Sequence, residues 1–139
     1  MITLQRYLDI IVEPTFKDFQ SNPTSIRHGY LACVATYHAI DRAAYPKEAQ
    51  VLAGQWREES QEFMLIEEVA MYFKHGQRRW VKKAKQKKPD ALLITHPLGL
   101  EGDGEGLELH SLHFLVRDAI KFLREKATKQ PREPSAQSL

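Results

Sequence analysis

Two groupings of histidine with a carboxylate, and one block of cations, are the residues whose types and spacing could do chemistry. His38 stands three residues before Asp41 in a stretch of helical periodicity, and Tyr45 stands four after it. Residues three and four apart are neighbours on a helix, so both can reach the carboxylate. On the helical wheel Asp41 falls within the apolar arc, beside Val34 and Tyr37. An unpaired carboxylate there would be costly. A His–Asp pair facing a core can move protons or hold a metal. It serves equally as a buried structural hydrogen bond, because charge networks perturb side chains without catalysis. Glu68, Tyr72 and His75 are spaced i, i+4, i+7 and share one side of a second helix, with Met64 and Met71 beside them. One reading is a polar site on a face shared with another helix or a second subunit, with Met64, Glu68, Met71 and Tyr72 at the interface. The plainer reading is a solvated helix end whose Lys74 and His75 complement the helix dipole.

The block of cations runs from Lys74 to Lys88 and carries eight Lys or Arg residues (74, 78, 79, 82, 83, 85, 87 and 88) with no acid. Lys74, Arg78, Arg79, Lys82, Lys83 and Lys85 surround Trp80. Closely spaced cations can track a phosphate backbone, and the indole can stack a base. The competing reading is a solvated loop paired with the acids 101, 103, 105 and 108 that follow. Other chemistries find no support. His28, His38, His75 and Glu68 match no zinc spacing, and there is no Glu-x-x-His pair, so no metal and no cofactor is expected. The acidic stretch 101–106 lacks the register of a calcium loop. Neither a phosphate-binding glycine pattern nor a serine nucleophile elbow is present.

These residues must be positioned by helices. Leu4, Leu8, Ile11 and Val12 have helical spacing, and Pro14 is expected to interrupt them or to start the next short turn. Asn22 as N-cap and Pro23 at the first helical position open a central helix 23–45. Ile26, Tyr30, Cys33, Tyr37, Ile40 and Ala44 form its stripe. Its roughly 22 residues would make a rod of about 33 Å. A further helix over 47–58 uses Val51, Leu52 and Trp56, and Ser60 caps another over 61–75. That helix is apolar on more than one face, which places it deep in a core or at an interface. Residues 92–96 and 106–110 read as a small β-hairpin, and 111–126 as a last helix lined by Leu112, Leu115, Val116, Ala119 and Leu123. The tail 127–139, with two prolines and little that is apolar, is expected to be disordered.

The chain has 139 residues, 42% of them hydrophobic and 27% charged, which suits one domain, 1–126, with one core. No apolar run reaches the ~20 residues of a membrane span. The first residues lack a signal layout, and the single cysteine, Cys33, cannot form an internal disulfide. A cytoplasmic location is expected. The fold class is mainly α, an up-and-down bundle of about five helices with the small hairpin before the last.

Four segments carry a resemblance. They are Phe16-x-x-Phe19, Asn22-Pro23-Thr24-Ser25-Ile26-Arg27-His28, Tyr37-His38-Ala39-Ile40-Asp41 and Val69-Ala70-x-x-Phe73-Lys74-His75. Their order resembles a group of small bacterial helical proteins similar to the HEPN superfamily of nucleotide- or RNA-associated domains. The resemblance covers about residues 4–75, with the last helix as an addition. It implies an up-and-down bundle that pairs into dimers. Many HEPN members are metal-independent RNases of toxin or phage-defence systems. On that pattern His75 would be the general acid/base, and Arg78, Lys74 or an arginine of a second subunit would stabilise the phosphorane. His38 and Asp41 would orient the site. The chain departs from the family's Arg-x4-6-His signature, since the positions five to seven residues before His75 are Glu68, Val69 and Ala70. Two expectations follow. The first is a non-enzymatic module that binds RNA or a protein partner as a homodimer. The alternative is a HEPN-like RNase.

Overall fold

A computed structural model describes residues 2–75 and 108–129, with the backbone alone for 73–75. The described residues are mainly helical, in the order α1 (Leu4–Tyr7), a π turn (Leu8–Val12), α2 (Glu13–Ser21), α3 (Ile26–Tyr37), α4 (Ala39–Ala44), α5 (Ala49–Glu59), α6 (Gln61–His75) and α7 (Leu109–Lys129). None of these helices is long and apolar enough to cross a membrane.

Residues 4–21 form one unbroken rod, so Pro14 does not interrupt it but stands at the start of the next helical segment, the other of the two expectations. Proline lacks an N–H and its ring crowds the carbonyl four residues back. The π turn absorbs this just upstream: the Glu13 N–H donates to the Leu8 carbonyl, five residues back, and Pro14 then sits in the first turn of α2. The central helix also differs from its expected span. Ser25 accepts the His28 N–H at 3.2 Å and is the true N-cap. Asn22 instead donates its amide to the Asp18 carbonyl and closes α2. The rod breaks at His38, where the Asp41 N–H bonds the His38 carbonyl, a tighter i to i+3 turn. One turn earlier, the Thr36 hydroxyl donates back to the Ala32 carbonyl at 2.6 Å, a contact that bends helices.

The four long rods, 4–21, α3, α6 and α7, run antiparallel to their neighbours. Tyr7 donates its hydroxyl to the Ala35 carbonyl at one end of the first pair, and Phe19 meets Gly29 at the other. Tyr37, at the close of α3, stacks 5.9 Å from Phe63 at the start of α6. Phe63 lies 6.5 Å from Phe122 near the end of α7, and Leu109 and Leu112 at its start face Gly29. The C-terminus of α6, the N-terminus of α7 and the 22–25 turn therefore share one end of the bundle. Trp56 of α5 closes the other end, edge-on to both Phe63 and Phe122. Leu4, Leu8, Phe19, Ile40, Ile66, Leu112 and Leu123 are fully buried between the rods, each contributing roughly 1.5–3 kcal/mol of burial. Cys33 belongs to this core, and burial pushes its thiol far up from the ordinary range, so it is an inert packing residue.

Three expectations are corrected. Val51, expected to make apolar contact from α5, is 75% exposed; Trp56 supplies that contact. The β-hairpin finds no support: no strand occurs among the described residues, and Leu109 and His110 lie in α7. Glu108 explains this, since its side chain accepts the His110 N–H at 2.9 Å and caps the helix. The rest of the expected hairpin, 92–96 and 106–107, lies outside the described residues. At its far end α7 takes in Ala127 to Lys129 from the expected tail, and Lys126 pairs there with Glu59.

Two glycines separate packing from propensity. A Cβ on Gly29 would sit 3.1 Å from Leu109 and Leu112 and 3.3 Å from Phe19, whereas on Gly54 its nearest neighbour is Arg57 at 3.9 Å. Gly29→Val should cost about 1–3 kcal/mol through overpacking. Gly54→Ala should add up to about 1 kcal/mol through helix propensity. Thermal unfolding monitored by circular dichroism checks both, and equal signs for the two would contradict the packing described.

Candidate functional site

The His38–Asp41 pair exists, with Nδ1 3.2 Å from Oδ2, but it does not face the core. The two side chains are 54% and 50% exposed. The break at His38 explains the misplacement, because an i to i+3 turn advances the chain by about 120° per residue rather than 100°. Asp41 thereby rotates off the arc that a straight helix would give it. As an exposed pair it contributes about 1 kcal/mol or less. It is felt by Tyr7, whose phenol burial pushes up first and the Asp41 charge second.

In the second grouping Glu68 and Tyr72 are buried instead of solvated. Glu68 is 0% and Tyr72 5% exposed, while Met64 and Met71 are half-buried. Every residue from Leu65 to Ala70 is buried, so α6 is enclosed on all sides along that stretch. His75 ends α6, whereas His38 follows Tyr37, which stacks on Phe63 near the start of the same helix. Twelve residues of α6 separate these levels, about 18 Å at 1.5 Å per residue. Within one chain His38 and Asp41 therefore do not meet His75. Arg78, Arg79, Trp80, Lys82, Lys83 and Lys85 lie outside the described residues, as do the side chains of Lys74 and His75.

Sequence reasoning passed over the strongest polar contact. Arg57 of α5 grips Glu67 of α6 through two bonds, Nε to Oε1 at 2.6 Å and Nη2 to Oε2 at 3.0 Å. The Glu67 side chain is 2% exposed and that of Arg57 27%. The bond to Glu67 raises the guanidinium pKa. Tyr37, Ala49, Gln50 and Ala53 join the pair around a cavity of about 430 Å³. A signal was present in the chain: Glu67 and Glu68 are adjacent inside an apolar run, so they cannot both escape the core. Their partner was not visible, because Arg57 lies across the Ser60 turn with no helical spacing to connect it.

A second group assembles at the end of the bundle shared by α2, α3 and α7. His113 packs its ring 5.1 Å from Phe16 and 5.9 Å from Phe19. His110 and His113 both meet Phe114 edge-on, at 4.9 and 5.5 Å. The Arg117 guanidinium lies 4.8 Å over the same ring. Gln20, Pro23, Thr24 and Glu108, with Leu109, His110, His113 and Phe114 of α7, line an open cavity of about 570 Å³. The spacing 110, 113, 114, 117 is a helical stripe that the sequence displayed. It was overlooked because His110 was assigned to a strand. Among the described residues, no three potential metal ligands cluster. Tyr7, Cys33 and Arg57 all have raised pKa values, a direction that does not make a nucleophile or base for neutral pH.

No protein-family model, curated protein or solved structure matches this chain.

The ion pair makes a sharp stability test. Arg57→Met leaves the Glu67 carboxylate buried without its fork and should cost about 3 kcal/mol, the lower end of the range for broken buried pairs because Arg57 is partly exposed. Arg57→Met/Glu67→Met should recover more than half of that. Urea unfolding followed by tryptophan fluorescence and far-UV circular dichroism measures both, and a single-variant loss below about 1 kcal/mol would show that the pair does not hold α5 to α6.

Proposed function

We propose that this chain is a non-enzymatic helical module that binds RNA. The observation carrying this reading is the convergence at one end of the bundle. The histidine–aromatic group of α7 opens there, and α6 ends there with Lys74, the first of eight closely spaced cations. A cation block that begins at this end of the bundle, together with exposed aromatic and imidazole rings there, suits a polyanion whose bases have π faces. The resemblance to HEPN-like domains favours the same ligand. The separation of His38 and Asp41 from His75 removes a set of residues that an RNase reading would use within one chain. A homodimer remains part of the proposal. Glu68 and Tyr72 are buried in the chain itself, so a second copy would meet half-buried Met64 and Met71.

The test is binding of single-stranded RNA at several salt concentrations. The charge reversal Lys82→Glu/Lys83→Glu/Lys85→Glu should weaken binding and flatten the salt dependence by about 2 in log–log slope, at ~0.7 per phosphate contact. Unchanged affinity and slope would remove the basic run from the reading, and a protein partner would take RNA's place. RNA recovered intact after incubation agrees with a binding module. Cleavage that survives EDTA and disappears in His75→Ala would establish the RNase in its stead.

A further inference from the structure

We propose that the cavity at the α7 end of the bundle is a seat for one unpaired nucleotide of single-stranded RNA, with its base against Phe114. The inference rests on the RNA-binding reading and deepens it. Phe114 is a large apolar ring left 40% exposed on a helix whose other large apolar residues are mostly covered. Its surroundings are polar: the imidazoles of His110 and His113 stand perpendicular to its ring, and the Arg117 guanidinium lies over one face. A partner helix with an apolar face would press the two imidazoles and the terminal guanidinium nitrogens against hydrocarbon, which is costly for polar groups. A base offers both a π surface for the ring and polar edges for its neighbours.

The charge distribution orients such a ligand. The cavity wall holds one carboxylate, Glu108, whose Oε1 accepts the His110 N–H, together with the neutral side chains of Gln20 and Thr24. A phosphate is repelled from that wall, while the amino and carbonyl groups of a base edge find partners on it. The phosphate belongs farther along α7, at Arg117 and Lys121, which continue the exposed stripe of His110 and Phe114 at spacings i, i+4, i+7 and i+11. Arg117 also pairs with Asp118 through Nε at 3.0 Å, which leaves its terminal nitrogens for a phosphate. The volume, about 570 Å³, falls inside the roughly 300–1,000 Å³ range of small-ligand sites. A base within a duplex keeps its faces stacked and its edge paired, so the seat selects unpaired strands.

The experiment compares binding of oligocytidine, an abasic backbone of equal length and an RNA duplex to the wild-type chain and to Phe114→Leu, which keeps apolar volume and loses the π face. Wild type should prefer oligocytidine over both other ligands by about tenfold or more, the size of one base–aromatic stack. Phe114→Leu should bind oligocytidine and abasic backbone alike, with unfolding midpoint and salt slope unchanged. Wild type that does not distinguish oligocytidine from the abasic strand, or Phe114→Leu that keeps the preference, overturns the seat while leaving RNA binding intact. Absence of binding to all three overturns the RNA reading and the seat together.

Discussion

The Arg57–Glu67 ion pair sets the terms for the rest of the molecule. Helix α6 is the axis of the bundle, enclosed from Leu65 to Ala70, yet it carries two adjacent carboxylates into that enclosure. A charged carboxylate in a low-dielectric interior is costly unless it is paired or hydrogen-bonded, and a cation in good geometry offsets that cost for Glu67. Arg57 supplies one through a two-pronged contact, and to do so α5 must fold back across the Ser60 turn. That return brings Trp56 over Phe63 and Phe122 and closes the bundle end away from α7's N-terminus. The position of α5 thus follows from neutralising one charge on α6.

The opposite end carries the larger open cavity and the histidine–aromatic group of α7. Gly29 lets Leu109 and Leu112 approach α3 closely, and this contact draws the start of α7 beside the 22–25 turn. Glu108 caps α7 at that point. The register of the cap decides the phase of the whole helix: Leu112, Val116 and Leu123 turn inward, and His110, Phe114, Arg117 and Lys121 turn outward. The close glycine contact and the cap fix where α7 begins, and the spacing of its apolar residues then fixes which side it presents.

The His38–Asp41 pair shows how little a spacing says about environment. Both residues are in contact as expected, yet they stand in water and not in the core. The difference arises from one tight turn, caused by local hydrogen bonds of Thr36 and Asp41 that a wheel of uniform pitch does not contain.

What the sequence determined by itself is whatever depends on near neighbours along the chain. The periodicity of Leu112 to Leu123, the Ser60 cap with Phe63 as its donor, and the apolar excess of 61–75 are all local patterns, and each was legible as a helix or a helix start. The inert character of Cys33 followed from its place in a stripe. What only the tertiary structure decided is whatever joins distant segments: Arg57 to Glu67 across a turn, His113 to Phe16 and Phe19 across most of the chain, and the separation of His38 from His75 along α6. The physical reason is that periodicity fixes which residues share a face. Which faces meet is chosen by packing volume and by the need to pair buried charge, and both are settled between helices.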